Sequence, residues 1–215
     1  MVSEKFVLSA AHCAETRDLG VARWVRLGEL DLSTTLDDEG LQDLVIVSRI
    51  VHPEYKWPAI YHDIALFKLR RGAVFTNWVR PVCLHNDPVI PVSTGVATGW
   101  GRTDFVGDTS PQLMEVELTL VEGEDCENLL GRSNGTRLPR GLDPEIMLCA
   151  GEKEGGKDTC SGDSGGPLVI QEVGKCLTTQ VGITSFGREC GKPNSPGVYT
   201  RVSYYVPWIE SIVWA

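Results

Sequence analysis

The sequence has no apolar run long enough to cross a membrane as a helix, no internal repeat and no low-complexity tract. Those absences exclude a helical membrane protein, a solenoid and a disordered scaffold. No Cys-x-x-Cys pair occurs, which removes the common zinc-ribbon and thioredoxin-like readings. Positive charge is short: 20 Lys and Arg stand against 29 Asp and Glu, a net charge of −9. A phosphate backbone is bound by a basic surface, so nucleic acid is excluded as a partner. No apolar stretch follows Met1, so no secretory leader is read there.

What is present points to one compact β-rich unit. Of 215 residues, 42% are hydrophobic, enough for a real core. The apolar runs are short and broken by 23 Gly and 12 Pro, the rhythm of an all-β chain. Strands are expected at Phe6–Ser9, Trp24–Leu27, 44–51 and 64–69 in the first half. In the second half they are expected at 96–99, Met114–Val121, Pro167–Ile170, 180–185 and 197–202. Residues 114–120 alternate between apolar and polar, as a strand with one buried face does. Helices are expected at 124–130 and 204–213, the second with its apolar stripe on Val206, Ile209 and Val213. Seven cysteines in a chain of this size indicate an oxidising, extracellular compartment. The odd number leaves at least one thiol without a partner.

Three short segments carry the chemistry. Residues 158–167 read Asp-Thr-Cys-Ser-Gly-Asp-Ser-Gly-Gly-Pro and set Ser164 among glycines. A serine hydroxyl attacks well only when a base takes its proton and donors receive the developing oxyanion. His12, in Ser9-Ala10-Ala11-His12-Cys13, is the candidate base, and Asp63, heading Asp63-Ile64-Ala65-Leu66, is the candidate carboxylate that orients it. Each segment alone is a weak signal, and the three in the order His, Asp, Ser are a specific one. His52, His62 and His85 are read as ordinary packed or surface histidines.

These segments, with Thr98-Gly99-Trp100-Gly101 and Pro196-Gly197-Val198-Tyr199, resemble the chymotrypsin/trypsin-like serine proteases over almost the whole chain. Gly182-Ile183-Thr184-Ser185-Phe186-Gly187 and the ending Tyr204-Tyr205-Val206-Pro207-Trp208-Ile209-Glu210 are similar to the arthropod clip-domain proteases of the snake type. The resemblance implies two packed antiparallel six-stranded β-barrels with a C-terminal helix and the site in the cleft between them. It implies one peptidase domain over 1–215: barrel one over about 1–85, a linker over about 85–95, barrel two over about 96–203 and a helix over about 204–213.

The resemblance also assigns further roles. Gly162 and Ser164 supply the oxyanion-hole N–H groups. Asp158 lies at the base of the primary pocket and selects Arg or Lys, with Thr159 beside it. Gly187 and Gly197 leave the pocket open, and Ser185 and Gly187 bind the substrate backbone. Disulfides are implied for Cys126–Cys149 and Cys160–Cys190. Cys13 should pair with a cysteine on a preceding strand, and no cysteine precedes it. Cys83 resembles the position that tethers a cleaved activation segment, and Cys176 has no assigned partner. The acids Glu29, Asp31, Asp37, Asp38 and Glu39 lie in a loop where some relatives bind calcium. A solvated acidic loop is the preferred reading, so no cofactor is expected. Asn134-Gly135-Thr136 is a glycosylation sequon.

The front of the family pattern is absent. No basic residue followed by Ile or Val and then Gly-Gly appears, and in the family the new N-terminal ammonium pairs with the acid before the serine, here Asp163. The expectation is therefore a truncated catalytic domain with an incomplete first barrel, an unpaired Asp163 and a disordered oxyanion loop. The function expected is a secreted, monomeric endopeptidase that cleaves after Arg or Lys, acts on zymogens in a cascade and meets serpin-type inhibitors. The alternative is an inactive homologue that binds partners.

Overall fold

The computed structural model describes residues 1–36, 40–121, 123–130, 135–171 and 178–215. Two β bodies account for most of it. In the first, β1 (Phe6–Ser9), β4 (Trp24–Leu27), β5 (Gln42–Val51) and β6 (Ala65–Leu69) form an open antiparallel sheet in the order β1-β6-β5-β4. Two short strands, β2 (Glu15–Thr16) and β3 (Gly20–Val21), pair as a ribbon beside it.

The second body contains β7 (Cys83–Leu84), β8 (Thr94–Gly99), β9 (Met114–Val121), β10 (Met147–Ala150), β11 (Pro167–Ile170), β12 (Thr179–Phe186) and β13 (Gly197–Arg201). Its order is β11-β8-β9-β10-β13-β12-β7, and an added β11–β12 pairing closes six of these strands into a barrel. β7 joins β12 in parallel, so a strand from before the expected linker belongs to the second sheet. The architecture is therefore a closed six-stranded barrel, a half-barrel and a C-terminal helix.

The periodicities explain the packing. Leu118 on β9 is fully buried while its neighbours Glu117 and Thr119 face out. β12 is buried at seven of its eight positions, because it is covered on both faces. Inside the closed barrel, Ala97, Leu118, Leu148, Leu168, Val181 and Tyr199 pack together. Leu44, Ile46, Phe67 and Leu69 fill the half-barrel. A third cluster joins the two bodies: Leu8, Ile64 and Leu66 from the first meet Ile183 and Val198 from the second.

Among the described residues, two α-helices accompany the sheets, α1 (Gly123–Leu130) and α2 (Val202–Val213). α2 begins two residues earlier than expected. Its buried face is Val202, Tyr205 and Ile209, whereas Val206 and Val213 are only partly buried. The stripe is rotated because the ring of Tyr205, not Val206, packs onto His52 and His62.

Cys126 is bridged to Cys149, tying α1 to β10, and Cys160 is bridged to Cys190. Cys13 is a free thiol. Cys83 is disulfide-bonded. Cys176 lies outside the described residues.

Candidate active site

Asp63 is fully buried at the head of β6, where the two bodies meet. A buried carboxylate needs donors, and this one has three. His12 donates its backbone N–H to Oδ1 at 2.9 Å, Ser185 donates its hydroxyl to Oδ2 at 2.5 Å, and His12 Nδ1 lies 2.7 Å from Oδ2. The Asp63 carbonyl accepts the Thr200 hydroxyl at 2.8 Å. His12 comes from the half-barrel, and Ser185 and Thr200 come from β12 and β13 of the closed barrel. The turn that presents Asp63 runs through His62, whose φ of 57° is left-handed.

His12 sits in a single helical turn, Ala11–Cys13, directly after β1. Burial is the largest single influence and lowers its pKa, but the hydrogen bonds and charge interactions with Asp63 and the adjacent Cys13 together outweigh it, so the pKa is raised. The geometry leaves Nε2 as the nitrogen that faces a substrate.

Ser164 is exposed in the loop before β11. Backbone bonds fix this loop: Gly165 N–H donates to the Thr184 carbonyl at 2.8 Å, and Thr184 N–H returns to Gly166 at 2.9 Å. Gly162 has a φ of 106°, and a Cβ there would stand 2.9 Å from the Gly101 Cα, so only glycine fits. Ser164 and His12 line one cavity of about 320 Å³ with Ser185, Phe186, Gly187 and Trp57. Among the described contacts no hydrogen bond joins the Ser164 hydroxyl to the His12 ring. Catalytic contacts of this kind commonly tighten only when substrate is bound.

Asp163 departs from expectation. It is half-buried but not bare: Oδ1 accepts the Gly101 N–H and Oδ2 accepts the Cys160 N–H, each at 2.8 Å. The turn is closed by a 3.0 Å bond from Asp163 N–H to the Cys160 carbonyl. Two backbone N–H groups thus hold the carboxylate that was expected to stand without a partner.

Asp158 is partly buried in a neighbouring cavity of about 540 Å³ that also holds Asp163. The two cavities share Thr159, Cys160 and Cys190. Its carboxylate accepts N–H groups from Thr159 at 2.8 Å and Gly191 at 3.1 Å. Burial outweighs these bonds and pushes its pKa up to about 6. A Cβ on Gly197 would lie 3.2 Å from the Asp158 Oδ1, and one on Gly187 would meet only the Gly197 Cα, at 4.0 Å. The Thr159 hydroxyl is shared with the Tyr199 phenol at 2.8 Å.

The acidic loop offers less. Glu29 accepts N–H groups from Leu30 and Asp31, and Asp31 accepts from Ser33 and Gln112. Asp37, Asp38, Glu39 and the sequon residue Asn134 lie outside the described residues. Sequence reading assigned Ser185 to substrate alone and gave Thr200 no role. The two lie 122 and 137 residues from Asp63 along the chain, and no local pattern links them.

A buried acid on an imidazole, a serine lining the same cavity, and a barrel packed on a half-barrel define the class of two-barrel serine hydrolases. The Trypsin family model matches residues 1–209. The chain is 46% identical over 214 residues to the serine protease snk of Drosophila melanogaster, covering 99% of this chain and 48% of that protein. It is 37% identical over 219 residues to the clotting factor G beta subunit of Tachypleus tridentatus, covering 99% and 69%. It is 35% identical over 212 residues to Trypsin-1 of Astacus astacus, covering 97% and 84%. The chain belongs to the trypsin family of serine proteases. It spans about half the length of the Drosophila relative.

Proposed function

We propose that this chain carries the catalytic unit of an endopeptidase that cleaves peptide bonds after Arg or Lys. The observation that carries the reading is the buried Asp63, held by donors from both bodies and aligned on His12 above a cavity that Ser164 shares. Ser164 attacks the scissile carbonyl while His12 takes the proton and later returns it to the leaving amine. Asp63 holds the tautomer and stabilises the imidazolium. The N–H groups of Gly162 and Ser164 receive the oxyanion.

Selectivity rests on Asp158. A carboxylate whose burial disfavours its charge gains most from an incoming cation, and glycines at 187 and 197 leave room for a long side chain. Two features favour an extracellular setting: disulfides at 126–149 and 160–190, and a similar protein named as a venom protease. A relative named as a clotting-factor subunit favours a role on other proteins in a cascade. Partners of this kind are protein substrates with exposed Arg or Lys and inhibitors that present the same residue.

The alternative reading is an inactive homologue that binds partners without turnover. A single assay separates the two. Purified protein is incubated with Arg-amide and Phe-amide chromogenic substrates, and the same is done with Ser164→Ala. The proposal expects Arg-amide hydrolysis that disappears in the variant. The binding-only reading expects none in either.

A further inference from the structure

Behind the triad acid lies a cluster that peptide cleavage does not use. His52 directly follows β5, Glu54 lies two residues on, and His62 precedes Asp63. One nitrogen from each histidine and one carboxylate oxygen of Glu54 lie within 4.8 Å of one another. The imidazoles are stacked, 5.2 Å between centroids and 12° between planes. His52 is 8% exposed, Glu54 is exposed and His62 is between them.

The surroundings point to a ligand. The Tyr205 phenol lies 2.9 Å from His62 Nδ1. That contact fixes the ring, and when Nδ1 carries the proton it leaves the Nε2 lone pair free. Metal-ligating histidines are held in this way through their other nitrogen. Among the described residues, His52 Nδ1 receives only the Glu54 N–H, at 3.3 Å. That is longer than most hydrogen bonds, so its lone pair is weakly committed. Trp208 and Tyr205 wall the His52 ring at 5.1 and 5.2 Å, giving the cluster an apolar backing on one side and an exposed carboxylate on the other. His62 also holds a φ of 57°, a conformation that non-glycine residues keep only where the surroundings enforce it.

We propose that His52, Glu54 and His62 form a binding site for one zinc-class divalent cation, held by two imidazole nitrogens and one carboxylate oxygen. Zinc binds nitrogen and oxygen at about 2.0–2.2 Å, so tetrahedral ligands stand about 3.4 Å apart and the cluster must contract by roughly an ångström. Exposed Glu54 is free to swing in, and the imidazoles must also turn out of their parallel stack so that both in-plane lone pairs converge on one ion. Two imidazoles select zinc, copper or nickel over calcium and magnesium, which take oxygen ligands. The site is separate from the cleavage chemistry, although His62 and Asp63 are consecutive and metal at His62 would stiffen the turn that presents Asp63.

The test is equilibrium dialysis of the full chain against zinc chloride, with cobalt(II) absorption as a coordination readout. Glu54→Gln changes an exposed side chain. His62→Asn keeps a residue that tolerates positive φ, so the turn before Asp63 is preserved. The expected result is one zinc per chain, a visible cobalt band of tetrahedral intensity, and an affinity that falls at least about tenfold in both variants. His12→Ala leaves the binding unchanged. The proposal is overturned if no zinc is retained. It is equally overturned if both variants bind as well as the parent, or if His12→Ala alone abolishes binding and so places the metal on the triad imidazole. No turnover enters the measurement, so failure here and failure of the protease reading are distinguishable.

Discussion

The Ser185 hydroxyl donates to the Asp63 carboxylate at 2.5 Å, across the junction between the closed barrel and the half-barrel. The bond links β12 to the head of β6 and makes the orientation of His12 depend on how the two bodies meet. Ser185→Ala removes one of three donors to a buried charge. It should lower unfolding free energy by about 1–3 kcal/mol. Urea denaturation monitored by tryptophan fluorescence reads this, and a change within error would mean that the bond contributes nothing net.

Asp63 itself should matter far more for rate than for binding. Asp63→Asn leaves the His12 ring with the wrong tautomer and is expected to cut kcat by about 10⁴ with little change in KM. Steady-state kinetics on an Arg-amide substrate separate the two parameters.

The raised pKa of His12 has a direct kinetic consequence. A general base must be neutral, so kcat/KM should rise with pH and reach half its maximum above the ordinary histidine value of about 6.5. The stability contribution runs the other way. It is complete below the unfolded value and is lost as pH rises through the folded one. A kinetic midpoint at or below 6.5 would contradict the Asp63–His12 coupling.

Much of the site was legible in the sequence because it is written in contiguous segments. The surroundings of Ser164, His12 and Asp63 each carry their own signal, and strands such as Met114–Val121 announce themselves by alternation. What was not legible depends on contacts remote in the chain. β10 is buried at all four positions, so it has no alternation to detect, and β2, β3 and β7 are two residues each. Asp163 was expected to stand unpaired. Its two donors, Gly101 and Cys160, are brought to it by the meeting of separate loops. The buried face of α2 followed the aromatic stack on His52 and His62 rather than the aliphatic stripe.

Asp158 should leave a signature in stability. Its folded pKa of about 6 lies above the ordinary aspartate value, so its contribution is present below the unfolded pKa and is lost as pH rises through 6. The partly exposed carboxylate is expected to cost on the order of 2 kcal/mol at pH 8 relative to pH 4. Asp158→Asn should flatten that part of the Tm profile. An unchanged profile would mean that Asp158 ionises as freely as in the unfolded chain.

Cys126 and Cys149 are both almost fully buried, at 0% and 1% exposure, and their bridge closes a 23-residue separation. Replacing both with Ser should cost about 3 kcal/mol in the chain-entropy account. Thermal unfolding of the double variant measures it.

The central claim is that Ser164 attacks under the control of His12 and Asp63, with Asp158 choosing the residue cleaved. The most direct measurement compares kcat/KM for Arg-amide and Phe-amide peptides in the parent protein, Asp158→Ser and Ser164→Ala. The account predicts strong preference for Arg in the parent, loss of that preference in Asp158→Ser, and a fall in kcat of about 10⁶ in Ser164→Ala. Arg cleavage that persists in Ser164→Ala, or an unchanged Arg preference in Asp158→Ser, would contradict it.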